Sequence, residues 1–236
     1  MKQDIKVFEQ FPEINAGFAY KGIDAKERKH LMAPDLVKRG CEMACLGIIH
    51  SDTVVTLDDV TVHDPIEPGR WWVHDCDGAV TNRKGIMLTT TTGDCLAVFA
   101  YDPVKKVIGL AHAGWRGVLA GMPAKLVEAM VRSYGTDPQN VSAWIGPGIG
   151  LCCFEVSEDV AEAFWDVYPW SEDYTIDLGN GKYKLDLKGI SLELLEMTGV
   201  GTALASPDCT CCQPDDFWSY RRSKDKERML QYIELL

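Results

Sequence analysis

The sequence contains no apolar stretch near the ~20 residues that span a bilayer. It has no internal repeat, low-complexity tract or Ser/Pro-rich linker, which favours a single globular domain over residues 1–236. Basic residues are outnumbered: 24 Lys and Arg stand against 35 Asp and Glu, a formal charge of −11. That balance repels phosphodiester backbones and anionic lipid, so neither nucleic acid nor membrane is expected as a partner. The five histidines are too few for the blue-copper site plus multi-histidine cluster of a true multicopper oxidase. None of them is followed two positions later by glutamate, so the His-x-Glu motif of zinc nucleobase deaminases is absent. The N-terminal MKQDIKVFEQFPE is mostly polar, with no secretory run, and the nine cysteines are odd in number. Free thiols in a reducing cytoplasm are therefore expected, not a disulfide scaffold.

What is present points to an α+β fold, with mixed β-sheets and hairpins packed between helices. Residues 47–62 are β-branched with polar interruptions and predict strands. Three more strands follow in GIMLTTTTGDCLAVFAYDPVKKVIGLAHAGWRG, separated by Thr-Gly-Asp and Asp-Pro. One helix is predicted after Gly-Trp-Arg-Gly. Leu119, Met122, Leu126, Ala129 and Met130 lie at near-helical spacing, Pro123 falls in the first turn, and Gly135 is the stop. VSAWIGPGIG predicts a buried strand running into a glycine loop, Ser157 an N-cap, residues 187–198 a helix, and GTALAS and RMLQYIEL closing strands.

His112 ends an apolar run just before the Gly-Trp-Arg-Gly turn. If CLAVFAYDPVKKVIGLAH forms a hairpin whose turn centres between Pro103 and Val104, Cys95 and His112 are direct cross-strand neighbours. One sulfur and one imidazole could then share an ion. A catalytic zinc needs a third protein ligand, and His50, between LGII and TVV at a strand-to-loop boundary, is the first choice, with His63 and His74 in reserve. On spacing alone a second reading stays open, in which both histidines are hydrogen-bonded core residues and Cys95 is a small hydrophobe. Cys209-Thr-Cys211-Cys212 contains a Cys-x-x-Cys spacing, but Cys152-Cys153 is not a second such pair, so a structural zinc site is not expected.

The blocks TTGDCLAV, AHAGWRG, IGPGIGLCCFEV and CTCCQPDDFWSYRR, in this order, resemble the signature blocks of the bacterial multicopper-polyphenol-oxidase-like (laccase-domain) family, regarded as purine nucleoside phosphorylases. The resemblance implies that His50, Cys95 and His112 bind one metal ion, usually taken as zinc. It also implies a purine nucleoside (adenosine, inosine or methylthioadenosine) and phosphate as substrates, with possible adenosine deaminase activity. The sequence departs from the family pattern at IIHS around His50, at GDC before the first strand of the hairpin, and at GFAYK, where Lys21 replaces an arginine.

Among substrate-site candidates, Arg116 on the glycine turn and Arg221 or Arg222 offer guanidinium forks for phosphate, with Lys21 as a further cation. Asp94 and Glu155 are candidate acid/base groups, Cys95 and His112 the catalytic pair, and Trp115, Phe217 and Tyr220 candidate stacking faces for a purine. Two other chemistries fit the same residues. Copper could occupy the site and support laccase-like phenol oxidation. Alternatively, Cys95 could be the nucleophile of a metal-independent hydrolase with His112 as its base.

Overall fold

The computed structural model describes residues 5–21, 41–57, 64–67 and 69–236. Two six-stranded mixed sheets stack against each other, and helices cover the outer face of one of them. The first sheet runs β1 (Ile14–Phe18), β15 (Met229–Leu235), β7 (Ile86–Thr92), β2 (Glu42–Leu46), β5 (Arg70–Val73) and β4 (Asp64–Glu67). The second runs β14 (Thr202–Ala205), β10 (Ser142–Ile145), β8 (Leu96–Asp102), β9 (Val107–Ala113), β6 (Gly78–Thr81) and β3 (Val54–Thr56). A small antiparallel sheet of β11 (Glu155–Ser157), β13 (Lys182–Leu185) and β12 (Thr175–Gly179) lies apart from them in pairing. The result is an α+β fold, as the mixed order of elements predicts.

The central hairpin reads as almost continuous apolar sequence because both of its faces are covered. Alternation assigns its residues to two sides. Ala97, Phe99, Tyr101, Ile108 and Leu110 pack in one cluster with Ala44, Leu46, Leu88 and Ile233 of the first sheet. Leu96, Val98, Ala100, Val107 and Ala111 pack on the other side with Leu126, Ala129 and Met130. Those last three belong to α2 (Met122–Tyr134), which follows the short α1 (Trp115–Leu119). The single helix predicted here is two, because Gly121 takes a left-handed φ of 83° that ends one and starts the other. Pro123 does fall in the first turn of α2 and Gly135, at φ 64°, does end it. Two further helices, α3 (Glu158–Val167) and α4 (Leu187–Met197), stand where Ser157 and the 187–198 pattern place them. The Ser157 hydroxyl bonds the Asp159 carboxylate rather than a helix N–H.

The predicted hairpin register needs correction. Asp102 pairs with Val107 across a four-residue turn, Pro103 to Lys106, so the turn centre moves one residue towards the C-terminus. His112 therefore faces Ala97, not Cys95. The longer turn is stabilised locally: Asp102 Oδ1 accepts from the N–H groups of Val104 (2.8 Å) and Lys105 (3.1 Å), and Lys106 takes a left-handed φ of 56°. A type I turn, which proline favours, mismatches the right-handed twist of the flanking strands in a two-residue loop, and the longer loop avoids that mismatch.

The predicted strands between 47 and 62 are represented by β3, while residues 58–62 lie outside the described residues, as do His30 and His63. Of the three strands predicted after Gly85, β8 and β9 share one sheet but β7 belongs to the other. The chain therefore crosses between sheets through Gly93, Asp94 and Cys95. It crosses again between β2 and β3, through the loop that carries His50. The Gly146–Gly150 loop packs directly on the first crossing: the N–H of Ile149 donates to the Asp94 carbonyl at 2.8 Å, and a Cβ on Gly148 would lie 2.5 Å from Leu96 Cδ2 and 3.1 Å from the Asp94 oxygen. Gly148→Ala is expected to destabilise the protein by about 1–3 kcal/mol through overpacking against backbone that cannot retreat, read as a lower urea midpoint with an unchanged slope.

Candidate metal centre

His112 is the last but one residue of β9 and its side chain points to the face shared with the first sheet. It is 3% exposed, and its ring is held from behind: Nδ1 lies 2.9 Å from Oδ1 of Asp77, which is fully buried. The His112 backbone N–H also donates to the Asp77 carbonyl at 2.7 Å. With Nδ1 committed to a carboxylate, Nε2 is the ring nitrogen left for an ion or a proton transfer. Burial opposes a charge on this ring, but the Asp77 carboxylate and the Cys95 sulfur outweigh it and raise the imidazole to about 9. Burial likewise works against the Asp77 carboxylate, yet the bonds from His112 and Ser51 bring it down to about 2.

Asp77 carries no sequence motif, yet it organises more than one ligand. Its carboxylate also accepts from the backbone N–H groups of Ile49 (3.2 Å), His50 (3.1 Å) and Ser51 (2.7 Å), and from the Ser51 hydroxyl at 2.8 Å. Three successive N–H groups turned onto one carboxylate fix the His50 loop, with His50 itself at a left-handed φ of 60°. The His50 and His112 ring centroids end 5.0 Å apart. Desolvation, with a second imidazole and Arg116 nearby, pushes the His50 ring below the usual histidine range. The one available signal for Asp77 was its place directly before β6, which pairs with β9; in sequence it reads as a turn residue.

Cys95 precedes β8. In the observed register the position opposite it is Gly114, so Cys95 and His112 are diagonal rather than direct neighbours. They meet nonetheless, because the facing residue has no side chain. A Cβ on Gly114 would lie 3.2 Å from Cys95 Sγ, 3.3 Å from His50 Nδ1 and 3.7 Å from His112 Cε1. The glycine thus leaves open the space onto which the three donors converge, and one ligand atom from each of His50, Cys95 and His112 lies within 4.8 Å of the others. Two imidazoles and a sulfur at this separation suit a tetrahedral ion at about 2.0–2.3 Å with a fourth position free. The donor set fits zinc and also copper.

The trio opens on a cavity of about 680 Å³. Asp94, Tyr220 and Arg221 line it, as do three further cations, Lys224, Lys226 and Arg228. Phe154 lines it as well, with the Arg221 guanidinium 5.3 Å from its ring centroid. Both carboxylate oxygens of Asp94 are engaged: Oδ1 accepts from the Thr210 hydroxyl at 2.8 Å and Oδ2 from the Arg221 N–H at 2.7 Å. Asp94 therefore ties the residue before Cys95 to the segment that carries the cations.

Other nominated residues stand elsewhere. Arg116 is exposed and stacks on Trp115 at 4.2 Å, and neither is among the described residues lining the cavity. Lys21 donates to the Pro214 carbonyl at 3.0 Å and lies 4.5 Å from the Trp218 ring. The Arg222 guanidinium braces carbonyls of Thr210 and Phe217, both at 2.8 Å. Phe217 is buried among Phe18 and Tyr20, and Glu155 is exposed on β11. His74, a reserve ligand, is not in the donor trio.

These contacts predict how metal binding depends on pH and on two residues. An ion needs the neutral His112 ring, whereas the metal-free site favours the protonated one up to about pH 9. Zinc affinity in a chelator competition should therefore rise steadily between about pH 6 and about pH 9. Asp77→Asn, which removes the charge behind the ring, should weaken zinc binding by about 10–100-fold and move that rise to lower pH. In Gly114→Ala the new methyl group occupies the space between the donors, and elemental analysis of the purified protein should find less zinc per chain than in the unmodified protein.

The sequence profile described as Multi-copper polyphenol oxidoreductase laccase matches residues 10–236. A Deinococcus radiodurans protein named Purine nucleoside phosphorylase is 34% identical over 211 residues, covering 89% of this chain and 79% of that protein. Purine nucleoside phosphorylase YfiH of Escherichia coli is 34% identical over 160 residues, 68% of this chain and 64% of that protein. The chain spans 35–64% of the length of the mouse, human, Bacillus subtilis and E. coli relatives it matches. In structure it is similar to the Bacillus licheniformis hypothetical protein YfiH, with a TM-score of 0.84 at 26% identity over 97% of this chain and 95% of that one. A profile that runs from before β1 to the last residue, together with an architecture shared over nearly the full length, establishes that this chain belongs to the multi-copper polyphenol oxidoreductase laccase family.

Proposed function

We propose that this protein is a zinc-dependent purine nucleoside phosphorylase that converts adenosine, inosine or methylthioadenosine and phosphate to the free base and the ribose 1-phosphate. The carrying observation is the cavity: a metal-capable trio opens on a space lined by Arg221, Lys224, Lys226 and Arg228 in a chain whose formal charge is −11. Concentrating cations in one cleft of an acidic protein selects a small anion and leaves polyanions repelled elsewhere. The relatives named purine nucleoside phosphorylase support the same reading. We take residues 1–236 as one domain and a reducing cytoplasm as its setting.

In this reading Arg221, with the neighbouring lysines, holds phosphate, and Phe154 and Tyr220 offer faces for the purine. A phosphate oxygen attacks the ribose C1′ as the bond from C1′ to the base nitrogen breaks. The bonding pair leaves on the purine, which takes up a proton. Zinc held by His50, Cys95 and His112 would supply a Lewis acid with one open position. The chain's own contribution is positioning: Asp77 orients the His112 ring and the His50 loop, and Asp94 fixes Cys95 relative to Arg221. Adenosine deamination, in which water replaces the 6-amino group and ammonia leaves, is an additional activity of the same site. Copper in place of zinc would support phenol oxidation at the same site.

A second reading has its own observation. Asp77, His112 and Cys95 lie in the order of an acid, base and nucleophile, the arrangement of a metal-independent cysteine hydrolase.

The two separate in one assay series. Incubated with adenosine or inosine, the zinc-loaded protein should release free base and ribose 1-phosphate only when phosphate is present, and Cys95→Ser should lose zinc and activity together. Arg221→Ala should raise the phosphate KM by about 10–100-fold, the loss of a charge-assisted contact, with a smaller change in the nucleoside KM. Activity that survives chelation but not thiol alkylation overturns the phosphorylase in favour of the hydrolase.

A further inference from the structure

A second group of side chains, outside the cavity, meets the requirements of a metal site. Cys152, Cys153, Cys209 and Cys212 each place a sulfur within 4.8 Å of the other three. Two of the separations are 3.3 Å, from Cys212 to Cys152 and to Cys153. Four sulfurs at about 2.3 Å from one zinc ion stand about 3.8 Å apart along every edge of the tetrahedron. The observed spacing brackets that edge, so small side-chain adjustments suffice. All four thiols are free. The sequence obscured the site because its pairs are unlike: Cys209 and Cys212 have the usual two-residue spacing, whereas Cys152 and Cys153 are adjacent.

The surroundings suit a doubly negative zinc tetrathiolate. The Gly150 N–H donates to Cys209 Sγ at 3.2 Å, a backbone contact that would stabilise a thiolate there. Lys188 is 9% exposed, is held by the carbonyls of Ser206 (2.9 Å) and Asp208 (2.5 Å), and lies within electrostatic reach of Cys209 and Cys152. The Arg221 guanidinium donates to the Cys153 carbonyl at 3.1 Å. Buried or fixed cations beside a thiolate cluster offset its charge, which otherwise would make the site unfavourable.

We propose that Cys152, Cys153, Cys209 and Cys212 bind a structural zinc ion that clamps the 148–154 loop to the 209–213 loop. Both loops border the cavity through their next residues: Phe154 lines it, and Thr210 holds Asp94. The clamp therefore fixes one wall of the active cleft without contributing a ligand to its trio. It is independent of the phosphorylase reading.

The test isolates this site by disabling the other. A His50→Ala, Cys95→Ser protein, purified under anaerobic reducing conditions, should retain about one zinc per chain by elemental analysis. Replacing that zinc by cobalt should give the intense thiolate-to-cobalt charge transfer of an all-sulfur tetrahedral site. Adding Cys209→Ser should abolish both signals, whereas adding Cys211→Ser should leave them. If the doubly substituted protein does not fold, the otherwise unmodified protein should hold about two zinc ions and its Cys209→Ser variant about one. A metal-free double variant with all four thiols open to alkylation overturns the proposal. So does a disulfide from Cys212 to Cys152 or Cys153 in protein isolated under those conditions.

Discussion

The carboxylate of Asp77 receives the His112 ring, three consecutive backbone N–H groups and the Ser51 hydroxyl, and no water-exposed surface remains on it. A buried carboxylate left without such partners would be strongly unfavourable, so the contacts are coupled: losing one exposes the cost of burying the charge that the others share. Through this one group, a strand end in the second sheet and a loop leaving the first sheet are brought to a common point. Orientation of a histidine by a carboxylate behind it serves metal binding and general-base chemistry alike, which is why both readings of Cys95 and His112 rest on the same residue.

The sheet architecture explains why the site forms at this rim of the sandwich. His50 and Cys95 both lie where the chain leaves the first sheet and enters the second, and His112 lies at the end of a strand in the second. Such crossings cannot continue the ladder of either sheet, so their side chains are free to turn inward at the edge. Gly114 completes the arrangement by absence: it stands opposite Cys95, and any side chain there would fill the space the three donors face. The backbone strain at His50 is held in place by the same three bonds to Asp77.

Charge is distributed with equal economy of position. An acidic chain turns four cations of its C-terminal segment towards one cavity, and Asp94 anchors the start of that segment beside Cys95. Not every arginine there faces the cavity. Arg222 turns away to satisfy the carbonyls of Thr210 and Phe217, whereas its neighbour Arg221 lines the cavity while donating to the Cys153 carbonyl. Adjacent residues on a short helical turn point in different directions, and sequence order does not say which of them reaches solvent.

Local pattern determined a great deal of this protein. Strands β8, β9, β10 and β15, the stop of α2, and helices α3 and α4 follow from alternation, caps and glycine stops, and the resemblance of the signature blocks points to His50, Cys95 and His112. The turn register differs by one residue from the one the sequence predicts because Asp102 reaches over the turn and stabilises a longer loop than Asp-Pro alone suggests. Asp77, Gly114 as an open space, the cations at 224, 226 and 228, and the four-cysteine cluster were decided by tertiary structure. Each acts through residues tens of positions away, and a side chain's role across such a distance depends on which strands pair and where the chain changes sheets, information that no window of neighbouring residues contains.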